Sequence, residues 1–233
     1  MDRLELIQLL ISQKKLRNYL EIGVENGHIF FRLKSPFKVS VDPKFIFDTM
    51  RKVGKTILNP YNLTNQYFEK TSDAFFEQDA DRVFTSTKLQ LALVDGMHEY
   101  QYALRDVENT LRYLNDEGVI IMHDCNPQSE QAAGRFEDWQ EGVWNGDVWR
   151  TVVHLRSQRP DLNVFVLDTD HGLGIVTKRK PSEGPNPNVL DFSPAQIQSM
   201  SYQEFDRSRI NLLNLKPASY AYEYFSLQPS SLK

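Results

Sequence analysis

At 233 residues, 40% of them apolar and 25% charged, the chain can bury one α/β core with an appendage but is too short for two domains of ordinary size. A formal net charge of −4 with scattered Lys and Arg argues against nucleic acid as a partner, and no apolar run approaches the ~20 residues that cross a bilayer, so no membrane partner is expected. Cys125 is the single cysteine, which excludes an intrachain disulfide and a cysteine-based metal site and favours a reducing, cytoplasmic setting.

Residues 1–15 mix charge with Leu and Ile as a short amphipathic helix does, without the order of a signal peptide. Asn18 to Gly23 is a short apolar run stopped by glycine, and Phe37 to Asp42 repeats the form, so both read as strands, with a short helix between them over His28 to Leu33. Ser72 and Asp73 stand before Phe75 and Phe76, where either can cap a helix. Leu89 to Val94 and Val119 to Met122 read as buried parallel strands. The segment joining them carries Tyr100, Ala103, Leu104, Val107, Leu111 and Leu114 on one helical face, with Arg105, Asp106, Glu108 and Arg112 turned away and Gly118 suited to end the helix.

A long loop over 125–147 holds Phe136, Trp139 and Trp144 and is expected to grip a ligand. A helix capped by Asp147 then runs to about Gln158, where Pro160 stops it. Asn163 to Asp168 and Gly174 to Lys178 are strands linked only by Thr169 to Leu173, too short for a crossover helix, so they must be antiparallel neighbours. Asp168 to Gly172 is expected merely to turn that hairpin. Four prolines between 181 and 194 mark a linker, and Ser201 with Glu204 has the spacing of a capping box that opens a helix to about Leu215. The division expected is a core domain over 1–180 and a linker with a helical extension over 181–233.

Glu21-x-Gly23-x-x-x-Gly27 follows the first strand and Asp42 closes the second. This segment resembles the class I S-adenosylmethionine-dependent methyltransferases, which implies an α/β fold: a Rossmann-like, mostly parallel sheet with a terminal antiparallel hairpin and helices on both faces. By that resemblance Glu21, Gly23 and Gly27 surround the methionine part of the cofactor, Asp42 accepts the ribose hydroxyls, and Ser72 and Asp73 meet the adenine. Asp95, Gly96, Met97 and His98 after the fourth strand, with His123 and Asp124 after the fifth, look like the subgroup of metal-dependent sugar and antibiotic O-methyltransferases. The resemblance implies Asp95, His123 and Asp124 as ligands of a divalent cation (Mg²⁺, Mn²⁺ or Zn²⁺), with Asp95 also a cofactor contact. Met97 occupies the place of the subgroup's usual base, which leaves His98, with an ordinary pKa of ~6.5, as the titratable group for removing a hydroxyl proton.

The expected function is methyl transfer from S-adenosylmethionine to a hydroxyl of a small molecule or sugar, in a protein for which a homo-oligomer stays open. Plainer readings stand beside it. His98 can be a helix cap, Asp95 and Asp124 can be strand-end carboxylates bound by backbone N–H groups, and His123 can be hydrogen-bonded to a loop. A nicotinamide-dependent oxidoreductase would use the same glycine turn and ribose carboxylate, although the terminal hairpin and the missing Gly-x-Gly-x-x-Gly run oppose it. A non-catalytic cofactor-binding protein, acting as a partner or scaffold, is the third alternative.

Overall fold

The computed structural model describes residues 1–85, 87–138 and 142–229. Eight strands form one sheet: β1 (Asn18–Ile22), β2 (Phe37–Asp42), β3 (Gln66–Glu69), β4 (Leu89–Val94), β5 (Leu114–Met122), β6 (Leu162–Asp168), β7 (Leu173–Lys178) and β8 (Lys216–Pro217). Their spatial order is β3-β2-β1-β4-β5-β7-β6-β8. All neighbouring pairs are parallel except those made by β7, which runs antiparallel to both β5 and β6. The expected hairpin is therefore present, with its second strand inserted between β5 and β6.

Alternation along the strands sorts side chains onto two faces. Leu20, Ile22, Val39, Val41, Ala92, Val94, Ile120 and Met122 point to one face. There they meet α3 (Ser72–Gln78), α4 (Ala80–Phe84), α5 (Tyr100–Tyr113) and α6 (Trp149–Gln158). Tyr19, Leu91, Leu93, Val119, Ile121, Phe165 and Ile175 point to the other, where α1 (Arg3–Gln13) supplies Leu6, Ile7 and Leu10 and α9 (Tyr220–Tyr224) supplies Ala221. A remaining helix, α2 (Thr49–Leu58), buries none of its residues. From the C-terminal segment, α7 (Pro194–Ser199) and α8 (Tyr202–Leu213) add Ile197, Phe205, Leu212 and Leu213 to the first core, and Phe205 stacks on Trp149 at 4.2 Å.

Several local expectations change. Residues 28–33 form turns in place of a helix, because only isolated bonds such as Phe31 N–H to the Gly27 carbonyl close there. Gly118 lies inside β5, since α5 stops at Tyr113 and the strand begins at Leu114. Asp147 does not cap α6; its carboxylate accepts the Tyr100 N–H at 2.6 Å and pairs with Arg150 at 3.2 Å. Thr71, not Ser72 or Asp73, caps α3, and Asp106 is buried although its neighbours Arg105 and Glu108 are not. Helix α8 has the capping box expected from Ser201 and Glu204.

Candidate functional site

The carboxyl ends of β1, β2, β4 and β5 are held level by the ladder, which continues one residue beyond the strands. Gly23 N–H donates to the Val41 carbonyl, Asp95 N–H to Ile22 and His123 N–H to Val94, at 2.9–3.1 Å. One cavity of about 860 Å³ opens along this edge, lined at one end by the turn after β1 and at the other by Asp95, His98, His123 and Asp124.

The first end is mostly backbone. Gly23 has φ +83°, and a Cβ there would stand 1.9 Å from the Asp95 carbonyl oxygen, so only glycine allows the turn to pass the tip of β4 so closely. Gly27 closes the turn by donating to the Val24 carbonyl at 2.8 Å. Asp42 fastens it from below: one carboxylate oxygen accepts the N–H groups of Val24 and Glu25, both at 2.8 Å, and the other accepts Lys44 N–H at 2.8 Å. Glu21 is buried and accepts the Tyr19 hydroxyl at 2.6 Å; burial, outweighing that bond, pushes its carboxyl up to about 8. Ser72 and Asp73 line the same end, where Asp73 takes a two-pronged contact from Arg105 at 2.8 and 3.2 Å. Asp106 lies beside them with its carboxyl pushed up to about 7, because burial outweighs a hydrogen bond from Ser72.

The second end is made of side chains from distant parts of the chain. His98 Nδ1 donates to the Trp144 carbonyl at 3.2 Å, which aims Nε2 at Asp124 (3.2 Å) and Asp95 (3.6 Å). The Trp144 ring stacks on the imidazole at 5.0 Å, and Gly146, at φ +61°, passes so close to His98 that a Cβ would meet its carbonyl at 1.7 Å. Asp124 has φ +60°, a left-handed conformation that Asp tolerates, and it accepts Asn145 Nδ2 at 2.5 Å and His123 Nδ1 at 2.8 Å. His123 Nδ1 also lies 3.2 Å from Asp95, and its Nε2 meets Arg3 Nη1 at 2.7 Å.

Burial favours neutral rings, but the surrounding carboxylates outweigh it. The pKa of His98 is raised, and that of His123 is pushed up to about 11 by Asp124, Asp170 and Asp95. Arg3 opposes the second proton on His123, since a guanidinium only donates and needs a lone pair at Nε2. Burial would raise Asp95, yet its bonds to His123 and His98 hold it well below the usual carboxylate range.

The sequence-selected residues thus gather along one edge, with Glu21, Gly23, Asp42, Ser72 and Asp73 toward one end and Asp95, His98, His123 and Asp124 toward the other. Arg3 and Asp170 were missed. Arg3 reaches in from α1 and binds Asp170 at 2.9 Å, so the hairpin turn that was expected only to reverse the chain also supplies a carboxylate. Positive φ at both Asp170 and His171 shapes that turn, and Cys125 and Asn126 donate to its carbonyls, drawing it to the end of β5. No periodicity marks Arg3, whose partners lie 92 or more residues away. Trp139 lies outside the described residues, whereas Val143 and Trp144 of the same loop line the cavity.

The sequence model of a methyltransferase-domain family matches residues 20–125. No curated protein matches the chain in sequence. Among solved structures, cofactor-bound Rv0187 from MTB has a TM-score of 0.61 at 14% identity, covering 76% of this chain and 80% of that one. The O-methyltransferase TomG from Streptomyces achromogenes, in complex with S-adenosylmethionine, has a TM-score of 0.59 at 12% identity, with 76% and 80% covered. An O-methyltransferase from Bacillus cereus, in complex with SAH, has 0.55 at 17%, again with 76% and 80% covered. At these identities the likeness concerns the fold. An antiparallel β7 inserted between β5 and β6 separates this sheet from the all-parallel dinucleotide-binding one, and from β1 to just past β5 the chain is similar in sequence to a methyltransferase domain.

Proposed function

We propose that the protein methylates a hydroxyl group of a small molecule or sugar, with the cofactor along the glycine turn and the acceptor at the Asp95–His98–Asp124 end. The observation that carries this reading is the continuity of the cavity: the turn and the acidic cluster line one space, so donor and acceptor can meet without a conformational crossing. Asp42, Ser72 and Asp73 are assigned to the ribose and adenine, and Glu21, Gly23 and Gly27 to the methionine part. S-adenosylmethionine supplies an electrophilic methyl group. The chain's own part is to orient the two reactants and exclude water, with Val143 and Trp144 beside the acceptor end.

The donor set also fits a divalent cation. Ligand atoms of Asp95, His98 and Asp124 all lie within 4.8 Å of one another. Because His98 gives its Nδ1–H to a carbonyl, Nε2 turns a lone pair toward two carboxylates, an arrangement that requires either a second proton or a cation between them. His98 is therefore assigned as the third ligand, in place of His123, whose two nitrogens are engaged by Asp124 and Arg3. A cation there would lower the pKa of an acceptor hydroxyl enough for water to take its proton, so in this reading His98 is not the base. Residues 1–180 form the catalytic unit in this account, 181–233 an extension that braces it, and the setting is cytoplasmic.

Calorimetric titration with Mg²⁺, Mn²⁺ and Zn²⁺ in turn tests the cation directly. Binding by the wild type that is lost in Asp124→Asn and His98→Ala is expected; no binding of any of the three would remove the cation from the account. Transfer of labelled methyl to a panel of hydroxylated small molecules and sugars, with amines as the contrast, tests the acceptor class.

A further inference from the structure

Helix α2 presents its apolar side outward. Met50, Val53 and Ile57 recur at spacings of three and four, and Ile46 in the preceding loop continues the series. A surface helix ordinarily buries such a stripe. Here Met50, Ile57 and Leu58 are 82%, 75% and 81% exposed, and no residue of the helix is buried. The side that meets the protein is the basic one: Lys52 Nζ lies 4.3 Å from the centre of the Tyr67 ring, with Phe45 and Phe47 at 5.7 and 5.5 Å. This orientation is anchored at both ends, by the Asp48 cap on Arg51 N–H and by Asn59 and Asn62, whose amides bind the carbonyls of Phe31, Leu33 and Lys55.

Ile46 at one end of the helix and Tyr61 and Leu63 at the other are also exposed, making seven large apolar side chains in solvent over residues 46–63. Singly scattered apolar side chains are normal on a soluble domain, whereas seven gathered on one helix and its flanks mark an interaction surface. Charge argues for protein as the covering surface. An anionic bilayer is met by several cations around an apolar stripe, but Lys52 is turned inward onto aromatic rings, which leaves Arg51 as the one exposed cation of α2, and the chain as a whole carries −4.

We propose that α2 is a self-association face, on which two copies of this chain pack α2 against α2, antiparallel, about a two-fold axis near Val53 and Gly54. The stripe is suited to this because Met50 and Ile57 stand at nearly equal distances either side of that point, so Met50 of each copy meets Ile57 of the other. Gly54 leaves room for close approach of the two helices, since nothing lies within 4 Å of where its Cβ would be. The inference is independent of the methyl-transfer reading.

Light scattering on the eluting full chain, with loading varied from about 1 to 100 µM, reads the association across the range of ordinary homodimers. The expected mass is twice that of the chain, with Met50→Glu and Ile57→Glu each raising the dissociation constant by about 100-fold or more through carboxylates placed in an apolar contact. Both variants should keep the wild-type circular-dichroism spectrum and unfold cooperatively, because neither side chain is buried in a single copy, while the loss of association lowers the melting temperature. Should either variant unfold, Val53→Cys with a bis-maleimide linker gives a separate answer, since the native Cys125 is buried: a linked pair is expected. A monomer throughout the range, a dimer that persists in both Glu variants, or no linked pair would overturn the proposal. So would a monomer that binds anionic vesicles through α2, which would assign the stripe to lipid.

Discussion

The two ends of the cavity are built in different ways. At the glycine-turn end, seven consecutive residues and one carboxylate suffice: Gly23 bends past Asp95, and Asp42 holds the N–H groups of Val24 and Glu25. At the acidic end, Arg3, Asp95, His98, Asp124, Asn145 and Asp170 come from α1, two loops and the hairpin turn. A backbone-made site depends on conformation and is indifferent to most side chains within it. A side-chain site depends on charge balance, and every member is held by others, so damage there should alter chemistry before it alters cofactor binding.

The largest effect is expected from Gly23→Val. A branched side chain in a left-handed conformation, with its Cβ colliding with the Asp95 carbonyl, should weaken S-adenosylmethionine by at least about 100-fold in calorimetry. Near-normal affinity would show that the turn is not the cofactor cradle. Next in size is Asp124→Asn, a substitution that keeps the left-handed backbone and the shape of the side chain. Methyl transfer should fall by about 100-fold while cofactor affinity changes by less than about threefold. Parallel loss of both would mean that the two ends are not separable.

Asp42→Ala should weaken the cofactor by about 10- to 100-fold, the ~1–3 kcal/mol of an unpaired polar group, since it removes the proposed ribose acceptor and frees two turn N–H groups. An equal loss of affinity for S-adenosylmethionine and for a ribose-deoxygenated analogue would assign the residue to the turn alone.

The smallest effect concerns Asp106. Its carboxyl has an ordinary pKa of 3.8 and is pushed up to about 7 in the folded protein, so between those values the folded state holds a proton that the unfolded chain releases. Its contribution to stability is full below pH 4 and declines as pH rises toward 7. Asp106→Asn should therefore leave the melting temperature unchanged at pH 4 and raise it by a few degrees at pH 8, as scanning calorimetry would show. A lower melting temperature at pH 8 would instead mean that the ionised carboxylate has a partner.

What could be read from the sequence follows the same division. Six of the eight strands, the glycine turn and Asp42 lie within windows where period and spacing report directly on structure, and the four-residue link between β6 and β7 forces their antiparallel pairing, whereas the short edge strands β3 and β8 were not read. Asp95, His98, His123 and Asp124 were visible because they lie in the segments that follow β4 and β5, where the resemblance implies metal ligands and a titratable group. Arg3 and Asp170 were not, because their pairing joins residues 167 apart and only the finished sheet brings them together. Helix 28–33 failed for a local reason: the chain leaves Gly27 in turns that pack Ile29, Phe30 and Phe31 against the second core, and that packing outweighs helical propensity. Asp106 was placed on the outer face of α5 by its charge, whereas its position in the turn adjoining the cavity buries it.

Occupation of the glycine-turn end by S-adenosylmethionine is tested most directly by calorimetric titration of the wild type, followed by competition with nicotinamide dinucleotide. One molecule bound per chain, undisturbed by excess dinucleotide, is the predicted result. Absence of binding, or displacement by the dinucleotide at comparable concentration, would contradict it.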